Sequence, residues 1–135
     1  MTPKFRVKCP NCGKVSNIPG NGAPCPSCKQ PVAFSPEACV YLYRQGSVYG
    51  VAGGIGIYIN GVEYGSIGNK ELLCFPLPYG TYTFHCAVGM SRKCNDPVIT
   101  LNPQNRVEYK KVYIKPGAWA NSFIIEPIDP KLLEL

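Results

Sequence analysis

Residues 56–67 read GIYINGVEYGSI, and this stretch decides the fold class. Two short runs of β-branched and aromatic residues flank Asn60-Gly61, a pair that tolerates positive φ at both centres of a tight hairpin turn. Similar runs lie on either side of this hairpin: VYLYR (40–44), LLCFPL (72–77), TYTFHCAV (81–88), VITL (98–101), VEYKKVYI (107–114) and SFIIEPI (122–128). Turn residues separate them at Pro78-Tyr79-Gly80, at Asn102-Pro103-Gln104-Asn105 and at Lys115-Pro116-Gly117. Tyr82, Phe84 and Cys86 alternate with Thr81, Thr83 and His85, so one face of that strand is buried. Residues 36–135 are therefore expected to form an antiparallel β-sandwich of seven or eight strands. The terminal KLLEL allows a short helix.

Residues 1–35 have a different composition. Pro10, Pro19, Gly20, Gly22, Pro24, Pro26 and Pro31 leave no room for a helix and little for a long strand. Within this piece, CPNCGKVSNIPGNGAPCPSC (9–28) holds two C-P-x-C pairs separated by twelve residues. So short a segment cannot bury enough apolar surface to fold alone, and a structural metal is the usual remedy. Cys9, Cys12, Cys25 and Cys28 are the expected ligands of one structural Zn²⁺ per chain, since thiolates at this spacing supply four tetrahedral sulfurs. With every position filled by sulfur, the metal has no place for water or substrate. Gly13 suits the left-handed position that closes the first knuckle, and Lys29 stands at the equivalent place in the second. The expected division is a zinc ribbon over 1–35 and the sandwich over 36–135, joined at Ser35-Pro36-Glu37.

The knuckles Cys9-Pro10-Asn11-Cys12-Gly13 and Cys25-Pro26-Ser27-Cys28 resemble those of the zinc-ribbon and rubredoxin group. Rubredoxins hold iron between similar knuckles, but theirs are much farther apart and flanked by an aromatic core, so zinc is preferred to iron. The body is similar to small bacterial β-sandwich domains of unknown function akin to PEGA-type modules. The matching residues are Tyr41-Leu42-Tyr43-Arg44, Ile57-Tyr58-Ile59-Asn60-Gly61 with Gly65, and Leu77-Pro78-Tyr79-Gly80-Thr81-Tyr82. That resemblance implies a non-catalytic surface or adaptor module.

Composition narrows the partners. The chain has 135 residues, 45% of them hydrophobic, and a formal charge of +6 that four thiolates and a divalent ion reduce to about +4. Lys4, Arg6, Lys8, Lys14 and Lys29 stand in the front piece without an acidic residue, whereas residues 36–135 carry nine basic and eight acidic side chains. No apolar run spans a membrane and no export signal precedes the ribbon, so the expected address is a bacterial cytoplasm, where thiols stay reduced. Cys39, Cys74, Cys86 and Cys94 lie in or beside apolar runs and read as small hydrophobes, with a second metal site or redox pair as the alternative. His85 is the sole histidine, without an identifiable orienting partner, so no catalytic residue is expected. The glycines of 50–56 lack the lysine and helix of a phosphate loop and read as an irregular loop. Arg106, Lys110, Lys111 and Lys115 read as a solvated edge strand. The expected function is a non-enzymatic zinc-stabilised adaptor that binds another protein. The alternative is nucleic-acid binding through the five ribbon cations, which lack the interleaved aromatics of single-strand readers.

Overall fold

The computed structural model describes residues 2–35, 37–46 and 53–135. Pro36 of the expected joint, Tyr49, and Gly50, Val51 and Ala52 of the glycine-rich stretch lie outside the described residues. The described residues form β1 (Lys4–Lys8), β2 (Val15–Ile18), β3 (Cys39–Arg44), β4 (Ile55–Ile59), β5 (Val62–Ile67) and β6 (Leu72–Pro76). They continue with β7 (Gly80–Ala87), β8 (Lys93–Cys94), β9 (Val98–Leu101), β10 (Val107–Lys115) and β11 (Ser122–Pro127). Each of the eight runs read from the body is a strand, with its ends shifted by at most one residue. KLLEL supplies the end of a 3₁₀ turn, Pro130–Leu133, capped where Asp129 Oδ1 accepts from Lys131 N at 3.0 Å.

The fold is all-β, with a seven-stranded sheet in the order β2-β1-β6-β3-β10-β11-β8 and a four-stranded sheet in the order β5-β4-β7-β9. The Asn60-Gly61 hairpin joins β4 to β5, with Asn60 at φ +51° and Gly61 at φ +77° as the turn chemistry requires. Asn60 also fixes that turn to β7, accepting from Thr83 N at 2.8 Å through its side chain. The small sheet is antiparallel throughout, but the large sheet is mixed. β10 lies parallel to β3, with Tyr109 opposite Tyr41, and β1 lies parallel to β6. β3 and β10 can run the same way because the chain crosses through the small sheet between them. β10 is consequently an interior strand rather than a solvated edge. Two of its three lysines are partnered locally, Lys110 with Glu108 at 3.7 Å and Lys111 with Glu126 at 3.5 Å, while Lys115 at its end is exposed.

The inward faces of both sheets meet in one core, built from Val40, Leu42, Leu73, Phe75, Val112 and Phe123 on one side and Ile57, Ile59, Phe84, Cys86 and Ile99 on the other. Phe75 and Phe84 cross the gap edge to face, with centroids 5.9 Å apart. Two buried arginines accompany this apolar packing, Arg44 on the inward face of β3 with Val40 and Leu42, and Arg6 on β1. Arg44, 1% exposed, donates to Ile67 O at 3.0 Å and Gly53 O at 2.8 Å. Arg6, 8% exposed, donates to Tyr64 O and Ser66 O, both at 2.9 Å, and to the Asn17 side chain. Both guanidiniums come from the large sheet and reach carbonyls of β5, the outer strand of the small one, and Arg44 also takes Gly53 O just before β4.

Gly65 makes the Arg6 contact possible. It stands at φ +77°, and a Cβ there would lie 2.7 Å from Arg6 Nη1. The hydrogen bonds hold that nitrogen in place, so it cannot easily swing away. Gly65→Ala is expected to destabilise the protein by about 2–3 kcal/mol through backbone strain and displacement of Arg6, read as a lower urea midpoint with an unchanged slope.

Candidate metal centre

The four ribbon cysteines converge although no strand carries any of them. β1 delivers the chain to Cys9, β2 leads away from the first knuckle, and the bridge of Pro24 with Pro31 closes the second. Each knuckle is tied by the same pair of backbone bonds. Gly13 N donates to Cys9 O at 2.8 Å and Cys9 N to Lys14 O at 2.9 Å; Lys29 N donates to Cys25 O at 2.9 Å and Cys25 N to Gln30 O at 2.8 Å. The left-handed closing residue is Gly13 at φ +76° in one and Lys29 at φ +68° in the other. Lys29 therefore adopts the backbone that glycine would supply, and its Nζ donates to Pro26 O at 3.0 Å.

All four sulfurs lie within 4.8 Å of one another, with Cys9 and Cys28 3.7 Å apart and Cys12 and Cys25 also 3.7 Å apart. A tetrahedron with metal–sulfur bonds of about 2.3 Å has edges of about 3.8 Å. The cluster thus has the size a four-thiolate ion demands, and these four cysteines could hold a metal ion. Cys9 and Cys25 are buried among Val7, Ile18 and Val32, while Cys12 faces solvent. Phe5 and Phe34 stack at 5.6 Å where the ribbon begins and ends.

The thiols differ in their readiness to ionise. Asn11 Nδ2 donates to Cys28 Sγ at 3.4 Å and, with the Gln30 backbone N–H, lowers that thiol to about 6. The backbone N–H groups of Cys28 and Ser27 lower Cys25 as well. Cys12 is pushed up to about 11: the Lys14 backbone N–H favours its thiolate, but desolvation and the three neighbouring sulfurs outweigh it. The hydrogen bonds that favour a thiolate thus fall mainly on the second knuckle, at Cys25 and Cys28. Asn11 sits inside the motif, but only the folded geometry gives it this role.

The five ribbon cations fare unevenly. Arg6 is buried in its carbonyl cradle, Lys4 pairs with Glu71 at 3.2 Å, and Lys29 is turned to Pro26. Lys8 and Lys14 stay exposed on the ribbon surface. Of the other cysteines, Cys86 belongs to the sandwich core and burial raises its thiol. Cys74 lies buried beside the half-buried Cys39 on the outer face of the large sheet. His85 does have a partner, contrary to the sequence reading, since Asp96 Oδ1 lies 2.6 Å from its Nδ1. The sequence hides this pair because Asp96 reaches His85 only through the turn after β8. Among the described residues no helix is long and apolar enough to cross a membrane.

Removing the metal with a chelator should unfold the knuckles over residues 9–32 and leave the core of the two sheets intact, because that core has its own apolar packing. Amide NMR signals should be lost from the first and kept in the second. Asn11→Ala should weaken metal binding about 10–100-fold, measured by competition with a chromophoric chelator, since it removes a hydrogen bond that favours the Cys28 thiolate.

No family model, curated protein or solved structure matches this chain.

Proposed function

We propose that the protein is a non-enzymatic, zinc-stabilised binding module that acts as an adaptor for another protein. The observation that carries this reading is Trp119, which is 99% exposed in the connection between β10 and β11. Burying a side chain of this size is worth about 2–3 kcal/mol, and tryptophan is the residue most enriched among interface anchors. A second apolar surface accompanies it. Tyr41 and Tyr109 stack at 5.2 Å on the outer face of the large sheet, beside a groove of about 390 Å³ floored by Cys74 and walled by Phe5 and Phe34. Large aromatics with a polar tip suit a protein contact surface.

One Zn²⁺ per chain in the four-cysteine cluster is the metal this reading requires. Its role is structural, because four sulfurs leave no position for a substrate. Zinc is favoured over iron because Phe5 and Phe34 are the only aromatic pair packed in the ribbon among the described residues. None of the eight cysteines is paired in a disulfide, which suits a reducing compartment such as the cytoplasm. Nucleic-acid binding through the ribbon loses support where Arg6 and Lys4 are already engaged.

The test is affinity capture from the native host's lysate with the wild-type chain, with Trp119→Ala, and with the double variant Tyr41→Ser/Tyr109→Ser. A protein partner should be captured specifically and lost about tenfold or more in Trp119→Ala, with thermal stability changed by less than about 0.5 kcal/mol. The same partner should shift the emission of this sole tryptophan to shorter wavelength. Micromolar retardation of mixed DNA and RNA that fades steeply with salt, with no protein captured, would overturn the adaptor reading.

A further inference from the structure

Three different metal-binding side chains meet at a place unrelated to the ribbon. His85 stands on β7, Cys94 ends β8, and Asp96 follows in the turn toward β9. One ligand atom of each lies within 4.8 Å of the other two. We propose that His85, Cys94 and Asp96 form a second metal site that takes a zinc-class divalent ion through three protein donors and leaves one coordination position to a small ligand. This goes beyond the adaptor reading and does not depend on it.

Imidazole nitrogen, thiolate sulfur and carboxylate oxygen are together the donor set of a borderline ion such as Zn²⁺ or Co²⁺; Mg²⁺ and Ca²⁺ would demand oxygen throughout. Tetrahedral bonds of about 2.0–2.3 Å place donors about 3.3–3.6 Å apart. His85 Nδ1 and Asp96 Oδ1, now hydrogen-bonded at 2.6 Å, need only part by less than about 1 Å to admit an ion between them. Two negative donors, the carboxylate and the thiolate, then neutralise the charge of the ion.

The backbone around the donors is held from several sides. Cys94 pairs with Phe123 of β11, and Asn95 grips Ile125 through both ends of its amide, at 2.8 Å from Ile125 N and 2.7 Å from Ile125 O. Phe84 N donates to Pro97 O at 3.0 Å, fastening the far side of the turn to β7 next to His85. Asp96 itself sits at φ +46°, which turns its carboxylate back toward β7. The ligand side chains thus stand on a frame that exists before an ion arrives, the condition for tight binding.

An open surface cavity of about 410 Å³ adjoins His85 and Asp96 and is lined also by Tyr58, Thr83 and Arg92. It gives a fourth ligand room to enter, in contrast to the closed sulfur cluster. Arg92 lies over the Tyr58 ring at 5.6 Å, so its cation faces the same cavity and favours an anionic fourth ligand such as a carboxylate.

The test is a Co²⁺ titration of the full reduced chain followed by visible and near-ultraviolet absorbance. The wild type should take up a first equivalent with the strong charge-transfer band of four thiolates, then a weaker second with the intensity of one thiolate. His85→Gln and Asp96→Asn should keep the first and lose the second by about 100-fold or more in affinity. Asparagine tolerates the left-handed backbone of Asp96, so Asp96→Asn retains the fold, checked by its thermal midpoint. Cys12→Ser should have the opposite effect, impairing the four-thiolate band and sparing the second equivalent. Saturation of the wild type at the four-thiolate ion, or a second equivalent undiminished in both His85→Gln and Asp96→Asn, would overturn the proposal. The four-thiolate band is read independently, so failure of the ribbon site cannot be mistaken for failure of this one.

Discussion

Two buried guanidiniums of the large sheet, bound to carbonyls of β5 and of the approach to β4, fasten the two sheets to each other. A charged group removed from water costs several kcal/mol unless hydrogen bonds replace its hydration, and Arg6 and Arg44 each find backbone oxygens at 2.8–3.0 Å. β5 benefits in turn. As the outer strand of the small sheet it would present unpaired carbonyls to any passing strand, and Arg6 occupies two of them. The same side chain carries the ribbon, because it stands on β1, whose edge pairs with β6. One residue therefore ties three things together: the cysteine-bearing hairpin, the large sheet and the open edge of the small sheet.

The four-cysteine cluster stands at the end of this hairpin. β1 and β2 project from the large sheet as its last two strands, and the sulfurs gather where they turn. The small apolar cluster of Val7, Ile18 and Val32 is too slight to fix those turns, so a metal's bond energy would do what packing cannot. The matched backbone bonds of the two knuckles show the same solution reached twice from different residues, with Gly13 in one and Lys29 in the other. Conformation is dictated there by the need to aim N–H groups at sulfur, and a lysine accepts the strain.

Much of the fold was legible in the chain. Alternation and turn residues are local properties, so the strands from Val40 onward and the Asn60-Gly61 turn follow from neighbours within a few positions. Pairing direction is different in kind. That β10 runs parallel to β3 and lies inside the sheet depends on the path of the chain through the small sheet, which no window of residues contains. The basic run at Arg106–Lys115 looked like an edge for that reason. The candidate ligands Cys9, Cys12, Cys25 and Cys28 were legible because knuckle spacing is itself local, whereas Asn11 acquires its role only when Cys28 arrives from 17 residues away.

What the sequence determined by itself is therefore whatever neighbours along the chain decide: strand runs, turn types, the thiol spacing and the charge of the ribbon. Only the tertiary structure decided which of those charges remain free. Arg6 appears in sequence as one more surface cation and in space as a buried clasp, since its acceptors Tyr64 and Ser66 lie 58 and 60 residues away. His85 appears solitary in sequence and meets Asp96 and Cys94 in space, because β8 carries Cys94 alongside β7 and the left-handed Asp96 turns back toward it. The physical reason is common to both. Hydrogen bonds and metal coordination act over about 2–4 Å, and only folding brings residues so distant in sequence within that reach.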